Sequence, residues 1–490
     1  MKLRTIKRLF DFLKQIIRST FFRYAVAGGT SSLIDVILFN ILIYFSNTYY
    51  VTAVVISNTI SFLVRFLLQK YYTFKAHSIE NIHRQFLVYG LWFILSVSLT
   101  ALLVFIFVDM LKINQSLSQI IAIFAVASVS FFIYKYVIFP EKRKDAKKIL
   151  IITQKVDVND PVLGFFHRWI EEFSEHFESV AVICLEKGEY ALPENVKVFS
   201  LGKEERQSRI QYLIHFYWYI LYYRNSYDAV FVHMNQQYVL LGGIIWKMLG
   251  RRIYMWRNHL AGNITTAFSV LLCDKVFCTS KFSYTARYKK FVIMPVGIDM
   301  NLFKKNNNVA KIPRSILFLG RMAPIKKPDL LISALSEMKN KGIDFKVSFY
   351  GDSLPKDTEY FNFLKKEVKK YGLLDKVSFH SGVANYKTVD IYNTHNVSIN
   401  LSPSGLYDKT IFEAMACEIL ILASSKDLHE FINEDYIFDE DNVSSIIQKM
   451  EKLLNIGGED IKRRGEELRR FVIENHSLKK LGEKIFLNIN

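Results

Sequence analysis

Cysteine is scarce in this 490-residue chain. The four present, Cys184, Cys273, Cys278 and Cys417, show no metal-binding spacing, and free, mostly buried thiols are expected. Negative charge is also short: 46 Asp and Glu stand against 64 Lys and Arg, for a net charge of +18. Such an excess invites a nucleic-acid reading, but the cations flank apolar runs instead of gathering where a nucleic acid would need them. Beyond residue 150 no run is long enough to cross a hydrocarbon core of ~30 Å. A cleavable signal peptide is not expected either, because the first apolar run is long and no small-residue cleavage site follows it.

What the chain does have is concentrated apolar sequence. Four runs, at about 22–45, 49–69, 85–108 and 116–139, reach bilayer-spanning length. Lys2, Arg4, Lys7, Arg8, Lys14, Arg18 and Arg23 precede the first run, and Lys70, Lys75 and Arg84 lie between the second and third. Lys142, Arg143, Lys144, Lys147 and Lys148 follow the fourth. The other two loops, near Ser46 and between Asp109 and Lys112, carry almost no positive charge. This asymmetry predicts a multi-pass protein of the cell inner membrane with both termini, and everything after residue 140, in the cytoplasm. Each cation beside anionic lipid adds roughly 1 kcal/mol of surface adhesion. Residues 1–20 set Leu3, Ile6, Phe10, Leu13 and Ile17 on one helical face, predicting a basic interfacial amphipathic helix. Residues 141–148 read as a basic linker.

The second and fourth runs end alike, around Lys70-Tyr71 and Lys135-Tyr136, and the first and third begin alike, at Tyr24 to Gly28 and Phe86 to Gly90. Similar offsets predict a duplicated two-helix hairpin; a shared Lys-Tyr belt at the interface is the alternative. Asp35 falls about 16 Å into the first span at the helical rise, and Arg65 lies inside the cytoplasmic end of the second. Charges at such depth are paired or functional. Asp35 is expected to be satisfied by Arg65, a ligand or a pore, while Arg65 has the option of reaching the surface. Asn58 and the small residues Gly28, Gly29, Ser31, Ser32 and Ser57 allow close packing nearby. Phe22 to Gly29, Ser61-Phe62 and Lys70 to Phe74 resemble the GtrA family of four-helix membrane proteins over about 21–140. The resemblance implies dealings with polyprenyl-phosphate-linked sugars, by transport or by assisting an attached glycosyltransferase.

From residue 149 the pattern changes to alternating strands and helices. Apolar runs predict strands at 149–152, 180–184, 229–232, 252–256 and 275–278. A second series follows at 315–319, 346–350, 377–379, 397–400 and 420–423. Two series mean two doubly wound, Rossmann-like domains, 149–295 and 296–490, hinged near Pro295 to Asp299. A ligand belongs between them, at the carboxyl ends of the strands. His215 to Tyr223 reads as a buried or membrane-facing helix.

The chemistry sits after the strands. Gly320 lets the chain turn, and Arg321 and Lys326 then suit a diphosphate, one as a bidentate cation and one as a point charge. A loop with Ser404 and Gly405 leads to a helix start at Lys409 and Thr410, where free amides can hold phosphate oxygens. Glu413, one turn on, suits the hydroxyls of a ribose. His259, following a strand, can donate to a sugar hydroxyl or the departing phosphate.

Gly320-Arg321 with Lys326, Pro295 to Asp299, Gly351-Asp352, Ser402 to Ser404 and Glu413 to Ala416 resemble the GT-B retaining glycosyltransferases of family 4 over about 149–488. The resemblance implies that Arg321 and Lys326 hold the donor diphosphate, that Glu413 binds the ribose, and that a glycine loop near Gly164 approaches the donor. It also implies retention of anomeric configuration, with no cofactor and no obligatory metal. The family often carries a second glutamate that would fall on Gly405, and Asp408 or Lys409 is expected to substitute for it.

The expectation is an inner-membrane enzyme that moves a hexose from a nucleotide-diphosphate sugar to a polyprenyl-phosphate, glycolipid or membrane-proximal acceptor. The alternative is a polyprenyl-phosphate-sugar flippase or accessory whose soluble part binds without turnover. The expected partners are a nucleotide sugar, the lipid acceptor and the bilayer, with no nucleic acid. A homo-oligomer formed through the membrane domain is a further expectation.

Overall fold

A helix that is apolar on every side is stable only where no water reaches it. Four such helices open the computed structural model, which describes residues 20–46, 49–76, 82–139, 146–405 and 407–490. The predicted interfacial helix at 1–20 and most of the 141–148 linker lie outside the described residues. The chain forms two compact units, 1–144 and 145–490.

In the first unit, Thr20–Tyr44, Tyr50–Thr73, Ile82–Met110 and Gln115–Ile133 are long and apolar enough to cross a membrane. Their inward faces carry small residues, Ala27 and Ser31 on the first, Ala53, Ser57 and Ser61 on the second and Ser118 and Ala122 on the fourth. Small residues let backbones approach, and Ser61 Oγ donates to the Ser31 carbonyl at 2.6 Å. The second and fourth helices finish in π-helical turns at Leu68–Thr73 and Tyr134–Ile138, as the third does at Ile106–Met110. Phe66 and Phe74 from one hairpin meet their counterparts Phe131 and Phe139 from the other around the fully buried Tyr89.

The second unit contains two wholly parallel sheets. The first runs in the order β3-β2-β1-β4-β5-β6-β7, with β1 Lys148–Val156, β2 Ser179–Lys187, β3 Val196–Ser200, β4 Ala229–His233, β5 Arg252–Trp256, β6 Lys275–Cys278 and β7 Phe291–Ile293. The second runs β10-β9-β8-β11-β12, with β8 Ser315–Leu319, β9 Lys346–Tyr350, β10 Val377–His380, β11 Val397–Asn400 and β12 Leu420–Ala423. The edge strands β3 and β7 are absent from the sequence reading. β3 is interrupted by the exposed Lys197, and β7, though apolar, is only three residues long.

The boundary drawn at 295/296 also needs correction. The last helix, Leu478–Ile489, packs Leu481, Ile485 and Ile489 into the core of the first sheet with Phe173, Phe231 and Tyr254. Tyr254 hydroxyl donates to the Ile489 carbonyl at 3.1 Å. The chain therefore crosses between domains twice, and the two crossings are bonded to each other. Gly297 N and Ile298 N donate to His476 O at 3.0 and 2.9 Å, and Leu478 N donates to Ile298 O at 2.8 Å. Gly297 has φ +77°, and an added Cβ would meet Leu481 at 2.4 Å and Trp169 at 3.0 Å.

Gly297→Ala therefore incurs about 1–2 kcal/mol of backbone strain and about 1–3 kcal/mol of overpacking. Gly250, with φ +72° and open space around it, incurs the first alone. Thermal unfolding of the detergent-solubilised protein should show a larger loss for Gly297→Ala than for Gly250→Ala. Equal losses would contradict the packing at the crossing.

Candidate functional site

The loops that follow the carboxyl ends of both sheets face one another across a cleft of about 500 Å³. From the first sheet come Pro161 to Leu163 after β1, Met234 after β4, Asn258 and His259 after β5 and Thr279 after β6. From the second come Gly320, Arg321 and Lys326 after β8, Gly351 to Leu354 after β9, Asn385 after β10, and Asp408, Lys409, Thr410 and Glu413 after β11.

The turn after β8 is set by a glycine other than the one read from the sequence. A Cβ at Gly320 would make only ordinary contact with the Phe318 ring. At Gly351, with φ +143°, a Cβ would lie 2.0 Å from the Gly320 carbonyl oxygen. Gly351 thus lets the β8 and β9 loops touch. Arg321 follows, exposed on the cleft wall, with no side-chain hydrogen bond or ion pair among the described residues. Lys326 is held: its ammonium donates to Ser402 Oγ at 3.0 Å and pairs with Asp408.

Asp408 also caps the helix Lys409–Ala416, its Oδ1 accepting from Thr410 N at 3.3 Å. Burial pushes the Asp408 carboxyl up, but the Lys326 charge and hydrogen bond outweigh it and hold the carboxyl below the usual range. The expectation of free amides at this helix start is therefore corrected. Thr410 N serves Asp408 Oδ1, and Ile411 N serves the Asp408 carbonyl at 3.3 Å. Thr410 Oγ1 accepts from Asn400 Nδ2 at 3.0 Å.

Lys409 turns toward the first domain. Its ammonium donates to Gly297 O at 3.1 Å and lies 3.9 Å from the centre of the Phe165 ring and 5.0 Å from that of Trp169. Trp169 Nε1 donates to the same carbonyl at 3.1 Å. Burial lowers the lysine to about 8, against the opposing pull of Glu413 and Asp299. Glu413, one turn along, is buried and accepts from Asn385 Nδ2 and Tyr392 OH, each at 3.0 Å. Burial raises its carboxyl, with Lys409 and these two donors working the other way.

On the opposite wall, the Ala261 amide donates to His259 Nδ1 at 2.9 Å. The Ala261 carbonyl lies 3.1 Å from the same nitrogen, so Ala261 holds the ring through Nδ1 in either tautomer. The loop after β1 is fixed by charge. Lys155 lies 3.3, 3.1 and 2.9 Å from Asp157, Asp160 and Glu186. Asp160 Oδ1 accepts from Val162 N and Leu163 N at 2.9 and 2.7 Å. A Cβ at Gly164 would lie 2.5 Å from Asp160 O, so glycine closes this loop, and its neighbours Pro161 to Leu163 form the wall.

One expected contributor stands elsewhere. Ser404 Oγ accepts from Lys426 N at 2.9 Å and is not part of the cleft lining. Gly405, with φ +88°, packs where a Cβ would meet Leu260 at 2.3 Å and the Phe282 carbonyl at 2.9 Å. No side chain fits at that position, so its glycine is a packing requirement of the interdomain contact. Its amide donates to Asp427 Oδ2 at 3.0 Å, while Asp427 Oδ1 accepts from Ser280 Oγ at 2.6 Å.

Sequence reasoning missed Asn385, Tyr392, Phe165 and Trp169. Each acts through a partner distant in sequence, and only the i, i+4 spacing of Lys409 and Glu413 hinted at a shared face.

In the membrane unit, Arg65 Nε and Nη2 donate to Ser31 Oγ at 2.8 Å and Ser32 Oγ at 3.2 Å. Asn58 Nδ2 donates to Val54 O at 3.0 Å. Of the three ways left open for satisfying Asp35, Arg65 is not the one seen: Asp35 makes no ion pair among the described residues, and its Oδ1 is buried without a hydrogen-bond partner. The serines one turn before Asp35 intercept the guanidinium.

Residues 23–139 match the family model for the GtrA/DPMS transmembrane domain. Residues 158–255 match the glycosyl transferase 4-like model, and residues 299–474 match glycosyl transferases group 1. Mannosylfructose-phosphate synthase of Agrobacterium fabrum is 28% identical over 163 residues, covering 29% of this chain. D-inositol 3-phosphate glycosyltransferase of Kineococcus radiotolerans is 26% identical over 155 residues, again 29% of this chain. The chain spans 36% of the length of either relative. The crystal structure of Anabaena HepE in complex with UDP and glucose superposes with a TM-score of 0.56 at 15% identity, covering 70% of this chain and 99% of that one. That likeness is one of fold. A GtrA/DPMS-type transmembrane domain is thus joined, in one chain, to a GT-B-like region of two Rossmann-type domains that matches the glycosyl transferase 4-like and group 1 families.

Proposed function

We propose that this protein transfers a hexose from a nucleotide-diphosphate sugar to a polyprenyl-phosphate, glycolipid or membrane-proximal acceptor. The reaction retains anomeric configuration and runs on the cytoplasmic side of the inner membrane, with both chain termini on that side. The observation that carries the reading is Arg321, a guanidinium without a side-chain partner among the described residues, in a cleft between two sheets' carboxyl ends, beside a lysine already held in place. The solved relative that contains UDP and glucose shares this fold and supports a nucleotide sugar as donor.

The charges of the donor wall nearly cancel before any ligand arrives. Lys326 is matched by Asp408, and Lys409 by Glu413 and Asp299. Arg321 makes no side-chain hydrogen bond or ion pair among the described residues, so the developing charge on a departing diphosphate meets a forked cation free to bind it. Preorganised charge aimed at a leaving group is the large catalytic term. Lys326 adds a point charge whose position Asp408 fixes, and the His259 imidazole on the opposite wall serves the sugar or phosphate as a hydrogen-bonding group. No metal or cofactor takes part in this proposal. Closure about the double crossing excludes water, so that transfer outruns hydrolysis.

A second reading, a polyprenyl-phosphate-sugar flippase or accessory with a non-catalytic soluble part, draws on the membrane unit. The unpartnered Asp35 oxygen and the Arg65 guanidinium on Ser31 and Ser32 are polar groups kept at a depth where they are expensive. Nucleotide release from a panel of nucleotide sugars, with and without polyprenyl phosphate, separates the two. Acceptor-dependent release is expected, and none from any donor would favour the flippase.

Arg321→Ala should lower kcat/KM for transfer by about a hundredfold to a thousandfold with an unchanged circular dichroism spectrum. Near-normal turnover would remove the diphosphate from this wall. Lys409 loses its proton near pH 8 in the folded protein, far below a free lysine. Donor binding that uses this charge is complete below that pH and weakens above it. KM for the donor should therefore rise on the alkaline side, and Lys409→Met should flatten the limb. A limb that survives in Lys409→Met belongs to another group.

A further inference from the structure

We infer that the first Rossmann-type domain carries a lipid-docking face of its own, separate from the four spanning helices. The helices Arg209–Tyr222, Gln236–Met248 and Ile264–Leu272 lie on one face of the seven-stranded sheet. They are neighbours: Tyr217 hydroxyl donates to Leu241 O at 3.3 Å, and a Cβ on Gly243 would touch Leu272 at 2.9 Å. Their inward residues, among them Phe216, Val239 and Val270, pack on the sheet. Their outward residues should then be polar, as on Thr358–Lys370, which buries Leu364 and Val368 and exposes lysines. They are apolar instead. Ile210 is 70% exposed, Ile214 60%, Trp218 50%, Ile244 62%, Phe268 56% and Leu271 67%. Contiguous exposure on this scale marks an interaction surface in a folded domain.

Charge identifies the occupant. None of the three helices contains a single Asp or Glu. Arg209, the first residue of the first helix, is exposed, as is Lys289, next in sequence to Lys290. Lys290 caps the third helix, donating to Leu271 O and Cys273 O at 3.0 and 2.8 Å. Glu204 and Glu205 precede the first helix, outside the apolar area. Trp218 and the tyrosines around it are the side chains that settle at the boundary between hydrocarbon and water. An apolar face without acids, edged by cations and indole, suits an anionic bilayer surface better than a protein partner. The same chain supplies four helices of bilayer length, so such a surface lies within reach.

All four native cysteines are buried, so a single introduced thiol can be labelled selectively. The full chain carrying Ile214→Cys, Ile244→Cys or Phe268→Cys would bear an environment-sensitive fluorophore in phosphatidylglycerol nanodiscs. Lys369→Cys, on an exposed position of the other domain, is the control. Nitroxide-bearing lipid should extinguish emission at 214, 244 and 268, aqueous iodide should leave it intact, and position 369 should show the reverse. Iodide quenching at the three positions would overturn the inference. So would protection from both quenchers, which would mean that protein covers the face.

Discussion

One buried ammonium ties the two halves of the cleft together. Lys409 leaves the start of a helix in the second domain and ends against the Gly297 carbonyl at the crossing, over the rings of Phe165 and Trp169 in the first. Withdrawing a charge from water costs several kcal/mol after relaxation. Here it is offset by the carbonyl, two aromatic faces and the nearby Glu413 and Asp299. Because Lys409 sits on the turn that also carries Thr410 and Glu413, and next to the cap Asp408, fixing it fixes the whole donor wall relative to the hinge.

The rest of the site follows from this anchorage. Asp408 caps the helix and, through its other oxygen, seats Lys326. Gly351 allows the β9 loop to touch the β8 loop that presents Arg321. Gly405 lets the loop before the helix lie against Phe282 and Leu260 of the opposite domain. The position where the family resemblance led to the expectation of a glutamate is therefore spent here on packing. The wall is left with the Lys326–Asp408 ion pair, Lys409 near Glu413, and an Arg321 guanidinium that has no side-chain partner among the described residues.

How much of this was legible depended on range. Central strands such as Ile149–Ile152 and Arg252–Trp256 announce themselves because burial on both faces demands continuous apolar sequence. Edge strands β3 and β7 do not, since a lysine interrupts the first and the second is only three residues long. Arg321, Lys326, Lys409 and Glu413 were found because they follow strands or share a helical turn, and the structure gathers them on one cleft wall. Asn385, Tyr392 and Trp169 were invisible because their roles exist only once distant segments meet. The return of Leu478–Ile489 to the first sheet was missed for the same reason. Ser404 was read from its place in the loop before the helix, but its hydroxyl serves Lys426 N, and Arg65, one of three partners left open for Asp35, takes Ser31 and Ser32 instead.

A structure of the full chain in a nanodisc with a bound nucleoside diphosphate addresses the central claim directly. The phosphate oxygens should lie within hydrogen-bond reach of the Arg321 guanidinium and the Lys326 ammonium, with the nucleoside running toward Glu413. A nucleotide seated elsewhere, or Arg321 turned away from it into solvent, would contradict the account.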